Sequence, residues 1–152
     1  MAYDHWFGIG CDFDEAFTFK LADACSRLGV EYFVLDAGWY AGCERSFHDG
    51  VGNWRRVNLR KFPRGLKPLA EYVRSKGMKF GLWFEVERAH RSSDFAREHP
   101  EWFIDVGREH LHLNLALREV QDYVIDLVGG WIEELDLKWS RWDYNIWPIV
   151  YW

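Results

Sequence analysis

The sequence predicts an α/β fold: a parallel (β/α) half-barrel, about four βα units of a (β/α)8 barrel. Three observations carry this. A helical segment, a glycine, an apolar run and an acid follow one another twice, after Leu28 and after Lys76. Strands alternating with helices imply right-handed crossovers and a parallel sheet covered on both faces. An acid also stands near the end of each apolar run: Asp12, Asp36, Glu85 with Glu87, and Asp143. Barrels carry their chemistry at the C-terminal strand ends, so these acids read as one rim. Finally, no glycine-rich phosphate loop follows a strand, since Gly8-Ile9-Gly10 lacks a third glycine. That disfavours the nucleotide-binding open sheet. A whole barrel takes about 250 residues. This chain has 152, and the expectation is a single half-barrel domain, residues 1–152.

Each element has its own local reason. Trp6 to Cys11 is a short apolar run and reads as the first strand. Asp14 caps a helix beginning at Glu15, in which Phe17, Leu21, Ala24 and Leu28 share one face and Gly29 stops the chain. Val30 to Leu35 is β-branched and aromatic and reads as a buried strand. Ala41 to about Phe62 is a long loop carrying Trp54, and loops of that length usually serve function. Pro63 and Gly65 introduce a helix with Leu66, Leu69, Ala70 and Val73 on its apolar stripe, ended by Gly77. Met78 to Phe84 is the third strand. Ser92 and Ser93 cap a short helix through Ala96, closed by Pro100. His110 to Leu115 is a strand or an extended arm. Arg118 to about Leu135 is the longest helix, with Val120, Val124, Leu127 and Trp131 on one side. Lys138 to Asn145 is the fourth strand.

Composition bounds the function. A hydrophobic share of 49% with 28% charged residues belongs to a globular protein and excludes intrinsic disorder. A net charge of −5 argues against a nucleic-acid partner. No run approaches the roughly 20 apolar residues of a membrane span, and Met1 to His5 lacks the basic and apolar regions of an export signal. The expectation is a cytoplasmic protein with no membrane partner. Cys11, Cys25 and Cys43 are odd in number and lack metal spacing, so they read as reduced thiols. Aromatic residues make up 18% of the chain, a load suited to sugar stacking, a large interface or an aromatic core.

Candidate chemistry lies at the strand ends. Arg141 and Asp143, two apart on a strand, point to the same side. Facing a pocket, the guanidinium would keep the carboxylate ionised, as the nucleophile of a retaining glycosidase requires. Facing elsewhere, the two are a structural ion pair. Asp36 beside Trp39 either binds sugar hydroxyls under a stacked indole or caps a loop beside a core indole. Glu85 and Glu87 read as one inward acid bridged to Arg88 or Arg91. His110 and His112 form an H-x-H with too few companion ligands for zinc. No metal and no cofactor are expected.

Five ordered blocks carry a family resemblance. They are Tyr32-Phe33-Val34-Leu35-Asp36-Ala37-Gly38-Trp39-Tyr40; Gly52-Asn53-Trp54 with Lys61 to Leu69; Lys76 to Arg88; His99-Pro100-Glu101-Trp102 with Leu113-Asn114-Leu115; and Arg141-Trp142-Asp143-Tyr144-Asn145. Together, from about Trp6 to Trp152, they resemble the α-galactosidases of glycoside hydrolase family 36, the melibiase-like enzymes. The resemblance implies a (β/α)8 catalytic barrel, retention of configuration and an α-galactoside substrate. It assigns the nucleophile to Asp143 and sugar contacts to Asp36, Trp83 and Arg141. It also sets Trp54 near the same subsite, and Trp39 and Asn145 are expected as further sugar contacts. The departures are Ala37, where many members carry a second acid, Arg141, where many carry lysine, and Val86, where the arginine branch commonly has proline.

The resemblance further implies that the general acid/base sits on a later strand, about the sixth, beyond this chain. A retaining glycosidase needs two carboxyl groups about 5–5.5 Å apart. Activity is therefore expected only with a complementary barrel half or in a homodimer, which would also cover the open strand edges. The alternative is a non-catalytic, self-associating half-barrel scaffold that at most binds sugar.

Overall fold

The computed structural model describes residues 1–44 and 46–151, so Arg45 of the long loop and Trp152 of the aromatic tail lie outside the described residues. Four parallel strands form the main sheet: β1 (Ala2–Asp4), β2 (Tyr32–Leu35), β3 (Lys79–Phe84) and β7 (Trp139–Trp142), side by side in that order. Three helices make the crossovers: α2 (Glu15–Arg27), α4 (Lys67–Ser75) and α6 (Arg118–Leu135). Spatial order equals chain order, so every crossover steps the same way. All three helices then fall on one face, and α4 packs against both α2 and α6. That is the singly wound arrangement of a barrel rather than a doubly wound sheet.

The two faces separate cleanly, because side chains alternate along a strand. Phe33, Leu35, Phe80, Leu82 and Phe84, all fully buried, form the helix-facing side. The register Val34–Gly81–Trp139 and the pair Trp83–Arg141 set the other side. Asp36, Glu85 and Asp143 continue it past the strand ends. Gly81 is required here: a Cβ would lie 3.0 Å from that of Trp139 and 3.1 Å from Val34 Cγ2. The bare backbone lets the Tyr32 and Trp139 rings meet, centroids 5.2 Å apart.

Most expected elements stand where the sequence puts them. Asp14 caps α2 by accepting from the Phe17 N–H at 2.7 Å. Ser93 caps α5 (Asp94–Glu98). Val120, Val124, Leu127 and Trp131 are buried along α6. The first strand is different. It is Ala2–Asp4, and Trp6 to Ile9 form the one-turn helix α1. The Asp4 side chain accepts from the Trp6 N–H at 2.9 Å, and Gly10 leaves the turn at φ +52°. The apolar run holds two glycines and a capping acid ahead of it, which favours a turn over a strand. The rim acid of the first strand is accordingly Asp4, not Asp12.

Two further differences concern packing. On α2 the buried positions are Glu15, Thr18, Ala22 and Cys25, while Phe17 and Leu28 are exposed. Thr18, Ala22 and Cys25 are small side chains, and Glu15 is bridged to Arg64. Between β3 and α6 a second, antiparallel sheet is built from β4 (Arg88–His90), β5 (Phe103–Ile104) and β6 (His110–Leu113), in the order β4-β6-β5. The long loop holds a short helix, α3 (Phe47–Gly50), and a bridge between Tyr40 and Val57. Among the described residues, no helix is long and apolar enough to cross a membrane.

Candidate active site

A cavity of about 250 Å³ opens at the C-terminal ends of the four strands, walled by Asp36, Trp83, Arg141, Asp143, Asn145 and Phe47, with Trp6 and Phe7 at its edge. It gathers side chains from β2, β3 and β7, from α1, and from the loop holding α3. Four of the residues expected to hold sugar (Asp36, Trp83, Arg141, Asn145) therefore meet the expected nucleophile in one place.

Asp143 follows β7 and continues its ladder, donating its backbone N–H to Phe84 O at 2.8 Å. Its carboxylate accepts from Trp83 Nε1–H at 3.0 Å on Oδ2, and from the Tyr144 N–H at 2.8 Å on Oδ1. Burial pushes this carboxyl up, but the hydrogen bonds from Trp83, Asn145 and Tyr144, with the Arg141 charge, bring it below its ordinary value. It is an ionised carboxylate at neutral pH.

Arg141 has a different main task from the one its spacing suggests. Its Nη1 donates to both Asp4 and Asp36, whereas Nη2 stands 3.9 Å from Asp143. Two carboxylates share one guanidinium nitrogen, with a third nearby. Asp36 is almost wholly buried; its Oδ1 also accepts from the Ala37 N–H at 2.6 Å. Burial, followed by the neighbouring Asp4, pushes Asp36 up to about 7 against the pull of Ala37 and Arg141.

Two participants escape sequence reasoning, and both adjoin β1. Asp4 ends that strand, and a rim acid rule would have found it had the strand been placed four residues earlier. His5, fully buried on the Phe13 ring, accepts the Asp36 backbone N–H on Nε2 at 3.0 Å. Burial lowers it to about 4, so it is neutral at pH 7 and holds the turn that carries Asp36.

Trp39 and Trp54 stand behind the cavity wall, not on it; both are fully buried. Trp39 Nε1–H donates to Trp83 O at 2.9 Å, and the Trp54 ring centroid lies 5.7 Å from that of Trp83. Tyr40 stacks on Trp83 at 6.2 Å. These rings fix the indole whose N–H holds Asp143. Burial leaves their own faces closed to a ligand.

Glu85 is fully buried, paired with Arg88 and accepting from the Asn145 N–H. It is thus the bridged inward acid the spacing suggests. His112 contacts Leu113 O at 2.8 Å and the Tyr144 hydroxyl at 2.6 Å. His110 lies beside His48 and His90. Among the described residues, no group of three or more His, Cys, Asp or Glu is arranged to hold a metal ion.

Comparison with known proteins fits this geometry. Residues 2–147 match the Melibiase family. Probable alpha-galactosidase C of Aspergillus flavus is 37% identical over 92% of this chain and 21% of its own length. Alpha-galactosidase AgaA of Geobacillus stearothermophilus is 34% identical over 93% of this chain and 20% of its own. The crystal structure of the α-galactosidase from Lactobacillus brevis superposes with a TM-score of 0.87 at 36% identity, covering 94% of this chain and 20% of that one. The chain spans about a fifth of the length of these relatives.

Proposed function

The chain belongs to the melibiase family, glycoside hydrolase family 36, and on that premise we propose that it is the nucleophile-bearing half of a retaining α-galactosidase barrel. Completed by a second half, it would hydrolyse terminal α-galactosides. Variants of AgaA have been crystallised with 1-deoxygalactonojirimycin, stachyose and raffinose; we propose the same class of sugar here. The observation that carries the reading is Asp143, an ionised carboxylate oriented by Trp83 Nε1–H in a cavity of sugar size.

In this mechanism Asp143 attacks the anomeric carbon and forms a glycosyl-enzyme, which water then hydrolyses. The hydrogen bonds from Trp83 and Tyr144 orient both carboxylate oxygens for that attack. Arg141 Nη1 is committed to Asp4 and Asp36, which leaves Nη2 to donate to the sugar. Asp36, anchored through both oxygens, keeps lone pairs for sugar hydroxyls. Asn145 closes the same side. Trp39 and Trp54 act from behind, by fixing Trp83.

The second carboxyl group must protonate the leaving oxygen. Glu85 is a poor candidate, because its oxygens are taken by Arg88 and the Asn145 N–H. We assign this role to the complementary half of the barrel, in a longer polypeptide or a second copy of the chain. The half-exposed Trp139 and Trp142 on the edge strand β7 support such a closure. We propose a reducing, cytoplasmic setting, in keeping with an odd number of cysteines that lack metal spacing.

The test pairs light scattering with an assay on aryl α-galactosides, for the chain alone and complemented by the remainder of a relative's barrel. The expected result is turnover in the completed barrel, abolished by Asp143→Asn with the fold intact. A dimer of about twice 18.2 kDa that is active alone would identify the second copy as the complement. Equal turnover in wild type and Asp143→Asn would overturn the nucleophile assignment. A completed barrel that binds 1-deoxygalactonojirimycin without turnover would favour the sugar-binding alternative.

A further inference from the structure

Two thiols outside the sugar chemistry stand in contact. Cys11 lies in the turn after α1, and Cys43 lies in the loop between β2 and α3. The Cys43 Sγ–H points at Cys11 Sγ across 3.6 Å. Cys43 is fully buried, whereas Cys11 is partly exposed. Lys61 Nζ donates to Cys11 O at 2.7 Å and so brings a positive charge beside that residue. The third cysteine, Cys25, is buried on α2.

We propose that Cys11 and Cys43 form a reversible dithiol–disulfide site, oxidised by hydroperoxides. The contact distance carries the proposal: the sulfurs need to close by only about 1.6 Å to reach bonding distance. The surroundings divide the roles. The hydrogen bond from Cys43 lowers the Cys11 thiol, and Lys61 adds to that against burial, while Cys43 is pushed up by its bond to Cys11 and by burial. Cys11 is therefore the attacking thiolate, reachable from solvent, and Cys43 the resolving thiol.

The steps balance. The Cys11 thiolate attacks one oxygen of hydrogen peroxide; an S–O bond forms, the O–O bond breaks, and the hydroxide released takes up a proton. The Cys43 sulfur then attacks the sulfenic sulfur; the S–S bond forms, the S–O bond breaks, and water leaves with the Cys43 proton. Two thiols lose two electrons and the peroxide becomes two waters. A small dithiol reverses the reaction.

The site's position gives it a consequence. Cys11 follows Trp6 and Phe7, and Cys43 precedes Phe47; all three aromatic residues line the cavity. Trp6 and Phe47 already meet edge-on, 4.9 Å between centroids. A disulfide would tie both segments of this wall covalently, and the unfolding midpoint would rise by about 5–10 °C. None of this depends on the glycosidase reading.

The experiment is peroxide titration of the wild-type chain, followed by alkylation and peptide mapping by mass spectrometry. The expected product is a Cys11–Cys43 cross-linked peptide, lighter by two hydrogens, reversed by dithiothreitol, with Cys25 still alkylatable after unfolding. Cys43→Ser is expected to strand Cys11 as a sulfenic acid that dimedone captures. The proposal is overturned if peroxide oxidises Cys11 while Cys43 remains alkylatable. It is equally overturned if the product is a disulfide between chains, or if neither thiol reacts where free cysteine does. The mapping uses the wild-type chain, so it decides between these outcomes even if a variant fails to fold.

Discussion

Replacing Asp36 by asparagine isolates the most unusual electrostatic feature of the site. Arg141 Nη1 serves both Asp4 and Asp36. Burial and the second carboxylate outweigh the attractions, and Asp36 is pushed from 3.8 up to about 7. Between those values the folded chain holds a proton that the unfolded chain has released. Stability contributed by Asp36 is therefore fully present below pH 3.8 and falls as pH rises towards 7. Roughly three units at 1.36 kcal/mol each bound the change at about 4 kcal/mol. His5 runs the other way. Burial lowers it from 6.5 to about 4, so the unfolded chain holds more protons in that interval and stability rises with pH. The wild-type profile mixes the two slopes, but His5 is common to both proteins. The difference between Asp36→Asn and wild type thus reports Asp36, whatever constant offset asparagine adds. Urea unfolding followed by tryptophan fluorescence from pH 4 to 8 measures it. The variant is expected to gain on wild type steadily with pH, by up to about 4 kcal/mol. Parallel profiles, or a wild type that gains, would refute the reasoning, because Asp36 would then be an ordinary ionised partner of Arg141.

Three other perturbations have defined outcomes. Arg141→Met leaves Asp4 and the buried Asp36 without a cation and is expected to destabilise the chain by about 3 kcal/mol at pH 8, less at pH 5, by the same urea titration. Trp54→Ala removes a fully buried indole behind Trp83; a loss of about 3–5 kcal/mol is expected in thermal or urea unfolding. Gly38→Ala introduces a Cβ at φ +111°, 3.1 Å from the Phe13 ring and 3.3 Å from Cys11 Sγ. It should lower stability by about 1–3 kcal/mol, seen as a reduced urea midpoint at unchanged slope.

How far the sequence is legible follows from how local each signal is. Helix α6 and its buried face are legible because eighteen residues give the 3.6-residue period room to repeat. Strands β2 and β3 are legible because a buried parallel strand is a continuous apolar run. Strand β1 has three residues, too few for any period, and the richer apolar run after it makes Trp6 look like the strand start. Asp4 and His5 are hidden with it. The antiparallel sheet of β4, β5 and β6 is hidden because its short strands are paired by contacts distant in sequence. In the site, the residue types of Asp36, Trp83, Arg141, Asp143 and Asn145 are legible from the strand-end pattern and the family blocks. Their partnerships are not. Spacing two apart suggests that Arg141 serves Asp143, but the parallel register brings Asp4 and Asp36 nearer to it. Nor does a tryptophan beside a rim acid reveal on which side of the wall it lies.

The central claim is that Asp143 is the nucleophile of a galactoside site. Covalent trapping tests it most directly, with an activated 2-deoxy-2-fluoro-galactoside on the completed barrel and peptide mapping of the adduct. The account predicts one galactosyl label, on the carboxylate of Asp143, absent from Asp143→Asn. A label on Asp36, Glu85 or any other carboxylate would contradict it.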